Sequence, residues 1–214
     1  MDVYFVRHGE TYCNRKHVHQ APSSTLTDLG REQSVTAAEY LRKVNPDYIL
    51  TSDYTRAMQT AGILGSILGL TPETSDFFRE IRRPALLYGK SHYHPLSFWY
   101  VLQVVSHRGN FHWRYHDAEN FMDIRRRIKD ALMLLRPLQR EHNSVIVVSH
   151  AIYLNLLIAY MCENRVLELR DLIPSFLHMT QFGNGDVIHV KYIGDSAENT
   201  CSWQLESYWK PEEA

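Results

Sequence analysis

Val3-Tyr4-Phe5-Val6-Arg7-His8-Gly9-Glu10-Thr11 decides how the rest of the chain is to be read. Four apolar, β-branched or aromatic residues in succession make a buried strand. The run stops on Arg7 and His8. Ending a buried strand on a cation beside an imidazole is costly unless both meet a ligand. Gly9 then lets the backbone turn and pack close to whatever binds there. His8 is therefore expected at the mouth of a sheet, facing an anion.

The same pattern recurs twice downstream. Tyr48-Ile49-Leu50 reads as a second short strand. It ends in Thr51-Ser52-Asp53, expected to cap a helix that carries Arg56 in its first turn and closes at Gly69. Val145-Ile146-Val147-Val148 is continuously apolar, as a central parallel strand is. It ends in Ser149-His150, and a helix through Ile152, Leu156, Leu157 and Tyr160 follows. Between these units, residues 11–24 read as a polar loop. Thr27 reads as the cap of a helix that buries Leu29, Val35, Ala38 and Leu41. A further helix begins at Phe121 and ends at Pro137. Residues 179–182 and 187–193 flank the turn Gly183-Asn184-Gly185-Asp186 and read as a hairpin, with residues 203–209 as an edge strand.

Repeated strand-then-helix units imply an α/β fold: a three-layer sandwich with a mostly parallel central sheet and helices on both faces. Residues 81–118 lose that regularity and are rich in histidine and aromatics. They read as a lid with short helices, inserted into a single domain spanning residues 1–214. In parallel sheets ligands bind outside the carboxyl ends of the strands. Topology thus gathers Arg7, His8, Arg56 and His150 at one edge, a site for a doubly charged phosphoryl group. A neutral imidazole can attack phosphorus and divide one difficult step into two. Arginine forks match phosphate oxygens and steady the charge on the transferring group.

Composition narrows the possible functions. At 44% hydrophobic and 22% charged residues, the chain supports a sizeable core. A net charge of -1 argues against a general nucleic-acid binder. No apolar run is long enough to span a bilayer, and residues 151–161 read as a core helix. Cys13, Cys162 and Cys201 are widely spaced, which implies reduced thiols in the cytoplasm. Met1-Asp2-Val3 leads straight into the first strand, leaving no room for a signal peptide. His17-x-His19 and His92-x-His94 invite a metal reading. No HExxH or Cys/His ligand spacing accompanies them, so neither metal nor cofactor is expected.

Arg7-His8-Gly9-Glu10-Thr11 with Asn14, Leu26-Thr27-x-x-Gly30-x-x-Gln33, Ser52-x-x-x-Arg56-Ala57-x-Gln59-Thr60-Ala61 and Val147-Val148-Ser149-His150 resemble the histidine phosphatase superfamily, in its phosphoglycerate mutase-like branch. The resemblance implies a transiently phosphorylated His8, with Arg7, Arg56 and His150 on the phosphoryl oxygens and Asn14 assisting. It also implies that Glu80 protonates the leaving oxygen and then activates water. Departures are Ile81-Arg82-Arg83-Pro84, where relatives carry a glycine and an aromatic-Glu-Gly sequence, and Ala151, where Gly is frequent. Arg82, Arg83 and Lys90 could receive a second acidic group or form a solvated basic face. The expected activity is metal-independent hydrolysis of a small phosphate monoester. The alternatives are a phosphoglycerate-type mutase and a non-catalytic phospho-ligand module. A small phosphorylated substrate is the expected partner, with no nucleic acid or membrane, and an exposed C-terminal strand could pair two copies as a homodimer.

Overall fold

Val3, Phe5 and Val6 are wholly shielded from water within β1 (Asp2–Arg7). The computed structural model of the protein describes residues 1–161, 182–194 and 201–211. After β1 come α1 (Tyr12–Arg15), α2 (Asp28–Arg42), β2 (Tyr48–Thr51), α3 (Thr55–Leu68) and β3 (Glu73–Thr74). Then follow α4 (Pro95–Ser106), α5 (Phe121–Leu138), β4 (Ser144–Ser149), α6 (Ala151–Met161), β5 (Val187–Tyr192) and β6 (Trp203–Trp209).

Among the described residues six strands form one sheet, in the order β3-β2-β4-β1-β5-β6. The first four in that order are parallel, and β5 and β6 add antiparallel at one side. Alternation along the inner strands builds two cores, because successive side chains point to opposite faces. Val3, Phe5, Val145 and Val147 pack with Ile128 and Leu135 of α5 and Leu156 of α6. Tyr4, Val6, Ile146 and Val148 pack with Ala37 and Leu41 of α2 and Ala61 and Leu64 of α3. The fold is the expected three-layer sandwich.

Strand register is what assembles the site. Arg7 stands opposite Ser149, and Val148 is shared between Val6 on one side and Thr51 on the other. The next residue of each strand therefore emerges at the same edge. There the His8 N–H donates to the Ser149 carbonyl (3.0 Å) and the Ser52 N–H donates to that of Val148 (2.9 Å). The turn after His8 lies against α2 with no space for a side chain. A Cβ on Gly9 would stand 2.1 Å from the Gly30 carbonyl oxygen, and one on Gly30 would stand 2.1 Å from that of Glu10. Both glycines are set by this close approach.

Some local expectations are corrected. Residues 11–24 contain the one-turn helix α1, capped by Thr11, whose hydroxyl accepts from the Asn14 N–H. Leu29 and Val35 lie on the exposed side of α2, and the buried face is Gly30, Ser34, Ala37, Ala38 and Leu41. Small residues prevail there because α2 and α3 approach closely. The N-cap of α3 is Tyr54, with no side-chain cap bond, in place of Thr51 to Asp53. The edge strand β3, of two exposed residues, has too little apolar pattern to be seen in sequence. Residues 179–181 of the expected hairpin, and Cys162, lie outside the described residues. β5 pairs instead with β1 and β6. Residues 81–118, expected to form a lid, carry a small core of their own, Leu87, Tyr100 and Ala118.

Candidate active site

His8 is almost completely buried, and its ring is oriented by the chain beside it. Its Nδ1 lies 2.7 Å from the Gly9 carbonyl oxygen. A carbonyl only accepts, so Nδ1 carries the proton and Nε2 keeps its lone pair. Arg56 donates its Nε–H to that lone pair across 3.1 Å. Burial, then Arg56, then Arg7 push the His8 pKa well below its ordinary value. The imidazole is thus neutral and nucleophilic across the working range.

Arg56 enters from the first turn of α3 and is itself buried. A second donation, to the Ala21 carbonyl (3.1 Å), fixes its fork. Burial lowers its pKa to about 10, which leaves it cationic at neutral pH. Thr60, one turn on, accepts from the Gly9 N–H (3.1 Å) and donates to the Arg56 carbonyl (3.0 Å), tying the turn after His8 to this helix. Arg7 donates an Nη1–H to the Phe182 carbonyl, while its buried Nε has no partner among the described residues. Such an orphan donor is costly unless a ligand supplies the acceptor.

His150 stands behind His8, with ring centroids 5.1 Å apart, and is entirely buried. Its Nε2 lies 2.9 Å from the Ser52 hydroxyl. Ser52 also accepts from the Tyr54 N–H (3.2 Å), and among the described residues its own proton has no acceptor other than His150 Nε2. Nδ1–H of His150 is then buried with no partner among the described residues, a second donor suited to an oxyanion. Burial, followed by Arg56, holds the His150 pKa well below ordinary.

Asn14 presents its amide to the same place. Its Oδ1 accepts from the Thr11 N–H (3.1 Å) and the Asn184 side-chain amide (3.3 Å), leaving the NH₂ for the cleft. Glu80 lies at the start of α6, where helix N–H groups lack partners. Its Oε1 accepts from Tyr153 N–H (2.9 Å) and its Oε2 from Ile152 N–H (3.3 Å). The segment bearing Glu80 is anchored by Arg127, which donates to the carbonyls of Phe77 and Arg79 and pairs with Glu119 at 2.8 Å.

One cleft, open to solvent, joins these groups. Arg7, His8, Asn14, Arg56 and Glu80 line it, together with Tyr54 and the lid residues Arg82, Arg83, Tyr88 and His92. His150 is a layer deeper, and Lys90 is not among the lining residues. Sequence reasoning missed Tyr54, Ser52 and Asn184. Tyr54 meets His150 edge-on at 5.3 Å, with the Arg56 guanidinium 5.1 Å from its ring centre. Asn184 also donates to the His8 carbonyl (3.0 Å). All three lie inside stretches singled out for other reasons, the Ser52-to-Arg56 motif and the turn before β5. Position there was the one available signal.

The buried neutral histidines make stability pH-dependent. Unfolded, His8 and His150 take up protons near pH 6.5; folded, both resist protonation. Their contribution is complete above pH 6.5 and is lost as pH falls below it, by about 1.4 kcal/mol per pH unit for each histidine. Between pH 7 and 5.5 these two rings should lower the unfolding free energy from urea titration by roughly 2–3 kcal/mol, and His19 and His92, whose pKa values burial also lowers, add to that fall. A value constant over that interval would mean that neither ring is held neutral.

Among the described residues no helix is long and apolar enough to cross a membrane. Residues 3–195 match the histidine phosphatase superfamily (branch 1). Over 87 residues the chain is 38% identical to "Probable phosphoglycerate mutase GpmB" of Yersinia pestis. That stretch covers 40% of this chain and 40% of the relative, so the match spans under half the length of the curated relative. A mycobacterial glucosyl-3-phosphoglycerate phosphatase, solved with VO3, superposes with a TM-score of 0.75 at 24% identity, covering 98% of each chain. The alpha-ribazole phosphatase of Shigella flexneri gives 0.74 at 20% identity, covering 96% of this chain and 95% of that one.

Proposed function

The chain belongs to the histidine phosphatase superfamily, and from that premise we propose that it hydrolyses a small phosphate monoester through a phosphohistidine on His8. The observation that carries this reading is the neutral His8, its Nδ1 proton committed to Gly9 and its Nε2 lone pair at the cleft. In the first half-reaction Nε2 attacks phosphorus and the bond from phosphorus to the ester oxygen breaks. Glu80, as the acid, gives its proton to that oxygen, and the alcohol leaves. In the second, the Glu80 carboxylate takes a proton from water, whose oxygen attacks phosphorus. The P–N bond breaks and inorganic phosphate departs. Arg7, Arg56, His150 Nδ1–H and the Asn14 amide hold the equatorial oxygens through both steps.

Hydrolysis is preferred because the cleft is open to solvent, giving water a path to the phosphoenzyme. A mutase that returns the phosphoryl group to substrate is the second reading, favoured by the name of the Yersinia relative. The free thiols Cys13 and Cys201 fit the cytoplasm. The test is a product assay with EDTA present. Phosphate released from p-nitrophenyl phosphate supports the phosphatase. Positional transfer on a phosphoglycerate without release supports the mutase. Tight phosphate binding with no turnover of either would leave only a binding module.

A further inference from the structure

Pro95-Leu96-Ser97-Phe98-Trp99-Tyr100-Val101-Leu102-Gln103-Val104-Val105-Ser106, the whole of α4, contains no charged residue. Pro95 stands in its first turn and the His94 ring accepts from the Leu96 N–H (3.1 Å), so the helix starts sharply. A helix this apolar belongs inside a protein. The fold places it the other way round. Ser97 and Tyr100 are buried, and Val104 packs on the small core of Leu87, Tyr100 and Ala118. The other large apolar side chains stand in solvent: Phe98 is 59% exposed, Trp99 50%, Val101 55% and Leu102 55%. Phe98 is followed by Val101 and Leu102, and Trp99 by Leu102, at the spacing of helix neighbours, so the four form one stripe. An exposed apolar stripe of this kind marks a surface that something covers.

The surrounding charge selects what covers it. Residues 81–116 hold five cations, Arg82, Arg83, Lys90, Arg108 and Arg114, and no Asp or Glu, in a chain whose net charge is -1. The rest of the molecule therefore carries the acidic excess, and an anionic surface would attract this segment first. Arg82 and Arg83 line the cleft and Arg114 pairs with Asp123. Lys90, shortly before α4, and the exposed Arg108, just after it, are the cations that flank the stripe. A second copy meeting α4 face to face would bring like charges together. Side chains that protrude by half their area or more also suit a partner that yields around them. A fluid acyl boundary does so, and it favours tryptophan and phenylalanine at its edge.

We propose that α4 docks on an anionic phospholipid surface, lying in its plane with Phe98, Trp99, Val101 and Leu102 in the acyl boundary and Lys90 and Arg108 at the headgroups. At 12 residues the helix is too short to cross a bilayer. This departs from the expectation of no membrane partner, and the reason is tertiary: the fold decides which face of α4 stays uncovered.

The experiment sediments the full chain with sucrose-loaded vesicles. Binding is expected at millimolar lipid on phosphatidylcholine containing about 30% phosphatidylglycerol, at least about tenfold weaker on phosphatidylcholine alone, and weakened by salt. The double variant Phe98→Ser, Leu102→Ser should lose at least about tenfold of the anionic-vesicle binding. Its unfolding free energy should not fall below that of wild type, because both side chains are exposed. Arg108→Glu should weaken binding to the anionic vesicles alone. Brominated acyl chains should quench the tryptophan fluorescence of bound wild type, and Trp99→Phe should remove most of that quenching. Wild type that stays in solution with anionic vesicles overturns the proposal, as does binding unaltered in the double variant. Bound protein with no quenching puts another face on the lipid and overturns it too. A lipid-free dimer that the double variant breaks, read by analytical ultracentrifugation, overturns it by giving the stripe to a second copy. No readout here uses turnover, so the outcome is independent of the phosphatase reading.

Discussion

His8→Ala is expected to lower phosphate-monoester turnover by about 10⁴-fold or more, since it removes the atom to which phosphorus is transferred. The variant should also lose the acid-labile, base-stable label that wild type acquires from a radiolabelled substrate in a rapid quench. The two readouts separate chemistry from binding. Arg7, Arg56 and His150 remain, so inorganic phosphate should still bind, and the fold should persist because Gly9 is held independently by Thr60. A variant that hydrolyses as fast as wild type would remove His8 from the mechanism, and a label that persists would move the nucleophile elsewhere. In the ligand-free protein Arg56 donates to the very lone pair that must attack. Substrate therefore has to draw this guanidinium from nitrogen to a phosphoryl oxygen, and phosphate itself offers the stronger, charged acceptor.

Glu80→Gln is the second large effect, and its signature is selectivity among leaving groups. An alkoxide leaves poorly without a proton, whereas p-nitrophenolate needs none. In single-turnover phosphorylation of His8 the variant should be slowed about 10²–10³-fold on alkyl phosphates and far less on p-nitrophenyl phosphate. Steady-state turnover of p-nitrophenyl phosphate should then show a burst, because water activation is also lost. The replacement keeps one of the two acceptors: a glutamine oxygen can still accept from the Tyr153 N–H that now holds Oε1, while the longer bond from the Ile152 N–H (3.3 Å) is lost. An equal loss on both substrate types in the single-turnover step would strip Glu80 of the acid role. Retention of full activity on both would place the proton donor elsewhere in the cleft.

Tyr54 links the two halves of this machinery. Its ring lies against His150 and beneath Arg56, and Arg79, paired bidentately with Asp53, approaches within 6.0 Å of its centre. An aromatic face between two guanidinium groups attracts both without neutralising either. It therefore contacts Arg56 and leaves its charge available.

The sequence by itself determined the central strands, their polar ends and the layer arrangement. These follow from local causes: β1 and β4 are continuously apolar, and a buried strand that ends on Arg-His or Ser-His is legible in a handful of adjacent residues. The motifs that resemble the family likewise named His8, Arg7, Arg56 and His150, which register then brought to one edge of the sheet. Only the tertiary structure decided what depends on distant partners. Leu29 and Val35 are exposed although apolar, since α3 packs on the small-residue face of α2. Tyr54 rather than Thr51 to Asp53 caps α3, and Ser52 turns its hydroxyl to His150, 98 positions away. The lid defied a sequence reading for the same reason. His19 and Arg83 are hydrogen-bonded across 64 positions, and neither has a local pattern that announces the other. Hydrogen bonds and desolvation act through space, so a residue's partner, and with it its protonation, becomes defined when the chain has closed around it.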